Sequence, residues 1–181
     1  MKNILVITGS PRKDGNTDLL AKAFIEGAEK SGNKVMLFDA GKAKISGCVA
    51  CNTCFTKGKA CSFNDDFDKL APMLENADMV VFCTPLYWFT FSAQLKAAID
   101  RMYSFQFGKK ELKVKEAILM VCAGTDDLNE FAGIVSDYNL ITHYLGWKNR
   151  EILKVADVNE VGDIKNTDAL EKAKKIGESI V

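Results

Sequence analysis

The sequence predicts an α/β fold: five parallel strands in the order 2-1-3-4-5, with helices covering both faces of the sheet. Two observations carry that prediction. Short runs of nearly continuous apolar residues recur along the chain, as strands buried on both faces require. Amphipathic stretches with helical spacing lie between them. Strand and helix alternating five times implies a parallel sheet, and right-handed crossovers leave few topologies. A third observation bounds the size. The 181 residues contain no internal repeat, no low-complexity segment and only three prolines, so 1–181 reads as one domain.

The strand candidates are Ile4–Thr8, Val35–Phe38, Met79–Cys83 and Ala117–Ala123, with a weaker run near Arg150–Val155. The first helix candidate, Asp18–Lys30, places Leu19, Leu20, Phe24 and Ala28 along one face. Asp68–Asn76 and Ser92–Tyr103 are shorter. Leu128–Leu145 aligns Leu128, Phe131, Val135, Tyr138 and Leu145, with Gly146 as its C-cap. Thr167 is placed to cap a last helix whose face is Leu170, Ala173, Ile176 and Ile180. Between the second strand and the next helix, at about 45–64, lies an insert that fits neither period and holds four cysteines.

Composition excludes several functions. Lys plus Arg equals Asp plus Glu, 24 of each, so there is no basic excess for nucleic acid or for an anionic membrane surface. The opening MKNILVITG is too short for a signal-peptide core. No stretch approaches the roughly 18 apolar residues of a membrane span. A cytoplasmic location is the resulting expectation. Six cysteines in a reducing compartment point to metal or redox chemistry before structural disulfides.

Ligands of such sheets sit beyond the carboxyl ends of the strands. The first strand ends in TGSPRKDGNT. Gly9 and Gly15 let the backbone turn tightly, Ser10, Asn16 and Thr17 supply neutral donors, and Arg12 adds a cation. A helix starting near Asn16 aims its free N–H groups into the same space. The loop lacks the GK[ST] ending of a triphosphate P-loop and the GxGxxG dinucleotide fingerprint, so Asp39 is not read as a ribose acceptor. One terminal phosphate fits it, and an ordinary capped turn is the alternative. The third strand leads into Pro85, then Leu86, Tyr87, Trp88, Phe89 and Phe91, an apolar crowd that suits a flat aromatic ligand or a partner chain; one or two of them are expected to be core. After the fourth strand, Ala123 and Gly124 leave room for a ring, and Asp127 is placed to cap the following helix.

GSPRKDGNT and TPLYWFTFSAQLKAAIDR resemble the flavodoxin-like NADPH-dependent FMN reductase family, along nearly the whole chain. The resemblance implies a flavodoxin-like three-layer sandwich. It implies FMN phosphate ligands at Ser10, Arg12, Asn16 and Thr17, and ring contacts at Pro85, Leu86, Tyr87, Trp88, Phe89, Ala123, Gly124 and Thr125. It also implies a homodimer or homotetramer with the flavin near a subunit interface.

Cys48, Cys51, Cys54 and Cys61 follow the spacing C-x2-C-x2-C-x6-C. Three thiols at every third position can wrap one small cluster, and a fourth closes it. Zinc more often uses two well-separated CxxC pairs. Lys57 and Lys59 offset negative charge nearby. The segment resembles the compact cysteine motif of iron–sulfur flavoproteins, a branch of the same family, which implies a 4Fe–4S cluster beside FMN. Bare thiols or a labile disulfide, and zinc, stay open as alternatives. Asp65 and Asp66 read as helix caps, Cys83 and Cys122 as small buried hydrophobes, His143 as a non-catalytic surface residue, and the lysine-rich Gly108–Glu116 as a solvated loop.

No protein acid–base or nucleophile constellation stands out, which suits a flavin that carries its own redox chemistry. The expected function is an FMN-dependent oxidoreductase or electron-transfer flavoprotein. Its electron donor would be NAD(P)H or a ferredoxin-like protein. The alternatives are a cluster-free flavin, quinone or azo reductase, a non-enzymatic flavodoxin-like electron carrier, and a thiol-based redox sensor.

Overall fold

A computed structural model describes residues 1–181. Five strands, β1 (Asn3–Thr8), β2 (Lys34–Asp39), β3 (Met79–Pro85), β4 (Glu116–Cys122) and β5 (Lys148–Val155), form one parallel sheet in the order β2-β1-β3-β4-β5. The helices are α1 (Asn16–Lys30), α2 (Phe67–Asn76), α3 (Ala93–Arg101), α4 (Tyr103–Phe107), α5 (Ala132–Leu145) and α6 (Ala169–Glu178).

The alternation of side chains along the strands creates two cores. Ile4, Val6, Met79, Val81, Ile118 and Met120 face Leu20, Phe24, Ala28 and Ala173 of α1 and α6. Leu5, Ile7, Val80, Phe82, Leu119 and Val121 face the opposite way, into a larger core with α2 to α5. The central strands β1, β3 and β4 are buried along nearly their whole length. The edge strands β2 and β5 are only partly covered. That explains the weak apolar signal of the last run: an edge strand tolerates Lys148, Arg150 and Lys154, which also discourage pairing with another sheet.

Several boundaries differ from the sequence reading. The predicted helix Leu128–Leu145 begins as a 3-10 turn over Leu128–Phe131, capped by Asp127, before α5 starts. The stretch Ser92–Tyr103 breaks at Met102 into α3 and α4. Asp168, not Thr167, is the residue preceding α6, while the Thr167 hydroxyl accepts from Ala169 N–H at 3.2 Å. Gly146 terminates α5 with φ of 69°, the left-handed cap expected of a glycine there. No helix is long and apolar enough to cross a membrane.

Helices α1 and α6 cross at glycine. A Cβ added at Gly177 would stand 2.3 Å from Phe24 O and 2.7 Å from Ala28 N, and one at Gly27 would stand 2.0 Å from Lys174 O. Each would strike backbone, which cannot swing aside. Gly177→Ala is therefore expected to cost about 1–3 kcal/mol through overpacking. That corresponds to a melting point lower by roughly 2–12 °C, read by thermal denaturation of the ligand-free protein.

Candidate functional site

The site is built at the carboxyl edge of β1, β3 and β4. The loop after β1 is locked from two sides. Gly9 N–H donates to Cys83 O at 2.8 Å, and the Ser92 hydroxyl donates to Gly9 O at 2.7 Å. A Cβ at Gly9 would lie 2.7–2.9 Å from Ser92 Oγ, Leu95 Cβ and Thr84 Oγ1, so the close approach requires glycine. Helix α1 then opens at Asn16 behind Gly15, which has no side chain to cap it. The backbone N–H groups of Gly15, Asn16, Thr17 and Asp18 find no acceptor in the protein. An anion at this point would satisfy donors that the fold leaves unpaired.

Around these donors lies a pocket of about 180 Å³ lined by Ser10, Arg12, Asn16, Thr17, Pro85, Leu86, Tyr87, Cys122, Ala123, Gly124, Val158 and Asn159. It contains one cation and no carboxylate. A second hollow of about 240 Å³ shares Leu86, Ala123 and Gly124 with it and adds Trp88, Phe89, Thr125 and Glu130. All twelve residues expected to contact a flavin line these two abutting hollows. Cys122, read from sequence as a small buried hydrophobe, also lines them, as do three residues outside that reading, Glu130, Val158 and Asn159. The last two come from the loop after β5, whose only sequence signal was a polar Asn-Glu pair beyond a weak strand. Phe91, by contrast, is core.

The expected phosphate-binding side chains divide. Ser10 and Thr17 are buried at the pocket wall, and Ser10 Oγ accepts from Arg12 N–H at 3.2 Å. Arg12 reaches across the mouth to donate to Asn159 O at 2.8 Å. Asn16 does something else with its side chain. Its amide nitrogen donates to Val158 O and Glu160 O at 3.2 and 2.9 Å, and its oxygen accepts from Gly162 N–H and Ile164 N–H at 3.0 and 3.3 Å. The amide is saturated by the loop after β5, so its part in anion binding is confined to its backbone N–H.

The aromatic loop is a two-residue hairpin. Tyr87 and Thr90 exchange both backbone hydrogen bonds at 3.1 Å, and the tip residues Trp88 and Phe89 have φ of 45° and 64°. This is the geometry of a type I′ turn, which favours Asn-Gly. An aromatic residue in the left-handed region costs roughly 1–2 kcal/mol. The strain is held by α5: a Cβ at Gly133 would lie 2.5 Å from Phe89 O, and the Thr90 hydroxyl donates to Asp137. Trp88 is 91% exposed, so the fold tolerates the strain without gaining burial of the indole.

The four clustered cysteines also converge. Cys48, Cys51, Cys54 and Cys61 all line one recess, of only about 20 Å³, together with Phe63, Arg101, Tyr103 and Ser104. Burial and the neighbouring Cys61, Cys51 and Cys48 raise the Cys54 thiol above its ordinary range, while hydrogen bonding from Thr53 lowers that of Cys51. No three Cys, His, Asp or Glu side chains stand in a metal-holding arrangement. The donor set nonetheless fits a soft metal group: four thiols, all free, with two buried polar atoms without partners beside them, Arg101 Nε and Ser104 Oγ. The recess shares no residue with the two hollows. The hollows take Pro85 to Phe89 from the segment that leads into α3, whereas Arg101 ends α3, a helix roughly 14 Å long, and Ser104 lies beyond it in α4. Cys83 and Cys122 are buried strand ends as expected; burial pushes Cys122 up to about 12, so neither offers a thiolate.

Residues 2–149 match the NADPH-dependent FMN reductase family. The chain belongs to that family. Among relatives, an iron-sulfur flavoprotein of Archaeoglobus fulgidus is 36% identical over 131 residues, covering 72% of this chain and 59% of that protein. The chain thus spans less than two thirds of that relative's length. A provisionally named NAD(P)H-dependent FMN-containing oxidoreductase of Bacillus subtilis is 24% identical over 180 residues, covering 96% and 95% of the two chains. Among solved structures, an NAD(P)H:quinone oxidoreductase from Methanothermobacter marburgensis superposes with a TM-score of 0.76 at 18% identity, covering 98% of this chain and 96% of that one. An azoreductase from Bacillus anthracis superposes with a TM-score of 0.72 at 20% identity, over 99% and 100%. These two establish the shared flavodoxin-like fold.

The geometry sets two expectations for the ligand-free protein. Asn16→Ala should lower stability by about 1–3 kcal/mol, because it takes the partner from Val158 O, Gly162 N–H and Ile164 N–H; denaturant unfolding measures this. Trp88→Asn combined with Phe89→Gly should raise the melting point by several degrees, since both new residues suit the turn.

Proposed function

We propose that the chain is an FMN-dependent oxidoreductase that takes electrons from NAD(P)H. The row of unpaired N–H groups from Gly15 to Asp18, opening onto a pocket with one cation and no carboxylate, carries the reading. Those donors, with the hydroxyls of Ser10 and Thr17 and the Arg12 guanidinium, would hold the terminal phosphate. Pro85, Leu86 and Tyr87 would bound one side of the flat ring, and Ala123, Gly124 and Thr125 the other. Trp88 and Phe89, held out on the strained hairpin, would shape the face where nicotinamide or an acceptor stacks. When bound, FMN supplies the redox chemistry by accepting a hydride and passing on electrons. The chain itself binds, orients and shields. The expected measurement is quenching of FMN fluorescence on titration into ligand-free protein. Ser10→Ala and Thr17→Ala should each weaken binding about tenfold or more, as loss of a hydrogen bond to a charged group does. No saturable binding by the unmodified chain would refute the reading.

The same proposal places a 4Fe–4S cluster on Cys48, Cys51, Cys54 and Cys61, supported by their shared recess and the unpartnered donors beside it. Such a group would add one-electron transfer to the flavin's two-electron chemistry. The second reading is a cluster-free flavin, quinone or azo reductase, favoured by the smallness of the recess and the lack of a metal-holding arrangement. Anaerobic reconstitution with iron and sulfide separates them. Bound iron, acid-labile sulfide and broad visible absorbance are expected. Their absence, with NAD(P)H oxidation surviving Ser at all four positions, selects the second.

A homo-oligomer is also proposed. An apolar groove of about 340 Å³ runs between α3, α4 and α5, lined by Ile99, Met102, Tyr103, Leu140, Ile141 and Tyr144. Leu140 and Tyr144 are 66% and 74% exposed, an apolar patch that a second copy would cover. Leu140→Glu should shift the sedimentation coefficient to that of a monomer.

A further inference from the structure

Arg101 is the largest fully buried side chain in the protein. Its guanidinium lies about 5 Å from the ring centres of Phe63 and Phe67. Nη1 donates to Ser46 O at 2.8 Å and to Asp65 at 3.0 Å, and Nη2 donates to Asp65 at 3.3 Å. Asp65 in turn accepts from the N–H groups of Ser46 and Phe67. The ion pair therefore staples both ends of the cysteine segment to the end of α3. Yet Nε is left without an acceptor, and so is the Ser104 hydroxyl, which is 3% exposed. Leaving a buried donor unpaired is costly, and these two occur together on one recess, whose other lining includes all four clustered cysteines.

We infer that Arg101 and Ser104 donate hydrogen bonds to the sulfur of an anionic group ligated by Cys48, Cys51, Cys54 and Cys61, and thereby raise its reduction potential. The inference rests on the cluster reading above and goes beyond it by naming the residues that tune the group. The physical reason is charge. Adding one electron makes a thiolate-ligated cluster more negative, and fixed donors and a buried cation favour the more negative state. Arg101 and Ser104 act through the ligands and are not ligands themselves. Lysine cannot replace arginine here, because it retains the charge but lacks both Nε–H and the two-pronged hold on Asp65.

The test is a redox titration of the reconstituted protein, with dithionite as electron source, read by the paramagnetic resonance of the reduced cluster. Ser104→Ala should bind iron and sulfide at the unmodified level, keep or raise the ligand-free melting point, and disfavour reduction about threefold. Arg101→Lys should disfavour it about tenfold, near 59 mV for a one-electron couple. Lys96→Ala, on the exposed side of α3, should leave the potential unchanged. Full cluster content with unshifted potentials in both variants would overturn the inference while the cluster reading stands. Failure of the unmodified protein to take up iron and sulfide would overturn both. Should Arg101→Lys not fold, Ser104→Ala decides alone: a lowered potential supports the inference and an unchanged one overturns it.

Discussion

The hydrogen bond from Gly9 N–H to Cys83 O ties the loop after β1 to strand β3 where the strand order reverses. Chains leaving β1 and β3 there turn to opposite faces of the sheet, α1 to one and α3 to the other, and a crevice opens between them. Ser92 closes the arrangement by donating to Gly9 O while its oxygen caps α3. Anchored this way, the first loop presents the start of α1 to the crevice with its N–H groups unspent. The unpaired N–H groups, the pocket walls and the hairpin all take their positions from that junction.

A second set of constraints holds the periphery. Asn16, buried at the start of α1, carries the loop after β5 on four hydrogen bonds and so brings Asn159 to the pocket mouth. The Arg101–Asp65 pair does the equivalent for the cysteine segment at the other end of α3. Both are buried polar networks, which specify one arrangement strongly when every member is satisfied. Asn16 meets that condition. Arg101 does not, and its unpaired Nε marks the recess as a place that expects a further acceptor. The hairpin tip is a third kind of constraint, backbone strain retained where Trp88 and Phe89 stand out from the surface.

The fold was legible because a parallel sheet buried on both faces needs unbroken apolar strands, and β1, β3 and β4 have them. Legibility faded at β5 because an edge strand is under no such demand. The helix breaks at Met102 and Ala132 were unreadable, since the period of apolar residues runs on through both. At the site, the glycines and hydroxyls of the first loop announced an anion, and the aromatic crowd after Pro85 announced a surface. Family resemblance then tied the two to FMN.

By itself the sequence determined the alternation of strands and helices, the loops that build the pocket and the four cysteines that belong together, because each follows from local pattern and spacing. Only the tertiary structure decided what individual side chains do. The Asn16 side chain serves as a tie, because the carbonyls and N–H groups that saturate it come from more than 140 residues away. Trp88 and Phe89 stand on a strained tip, because α5 holds the hairpin from outside. The cysteine recess came to rest at the far end of α3 from the loop that leads out of β3 into the pocket, because a buried ion pair between residues 36 apart fastens it there. Spacing along a chain fixes which groups can meet locally; where they meet is set by packing between distant segments.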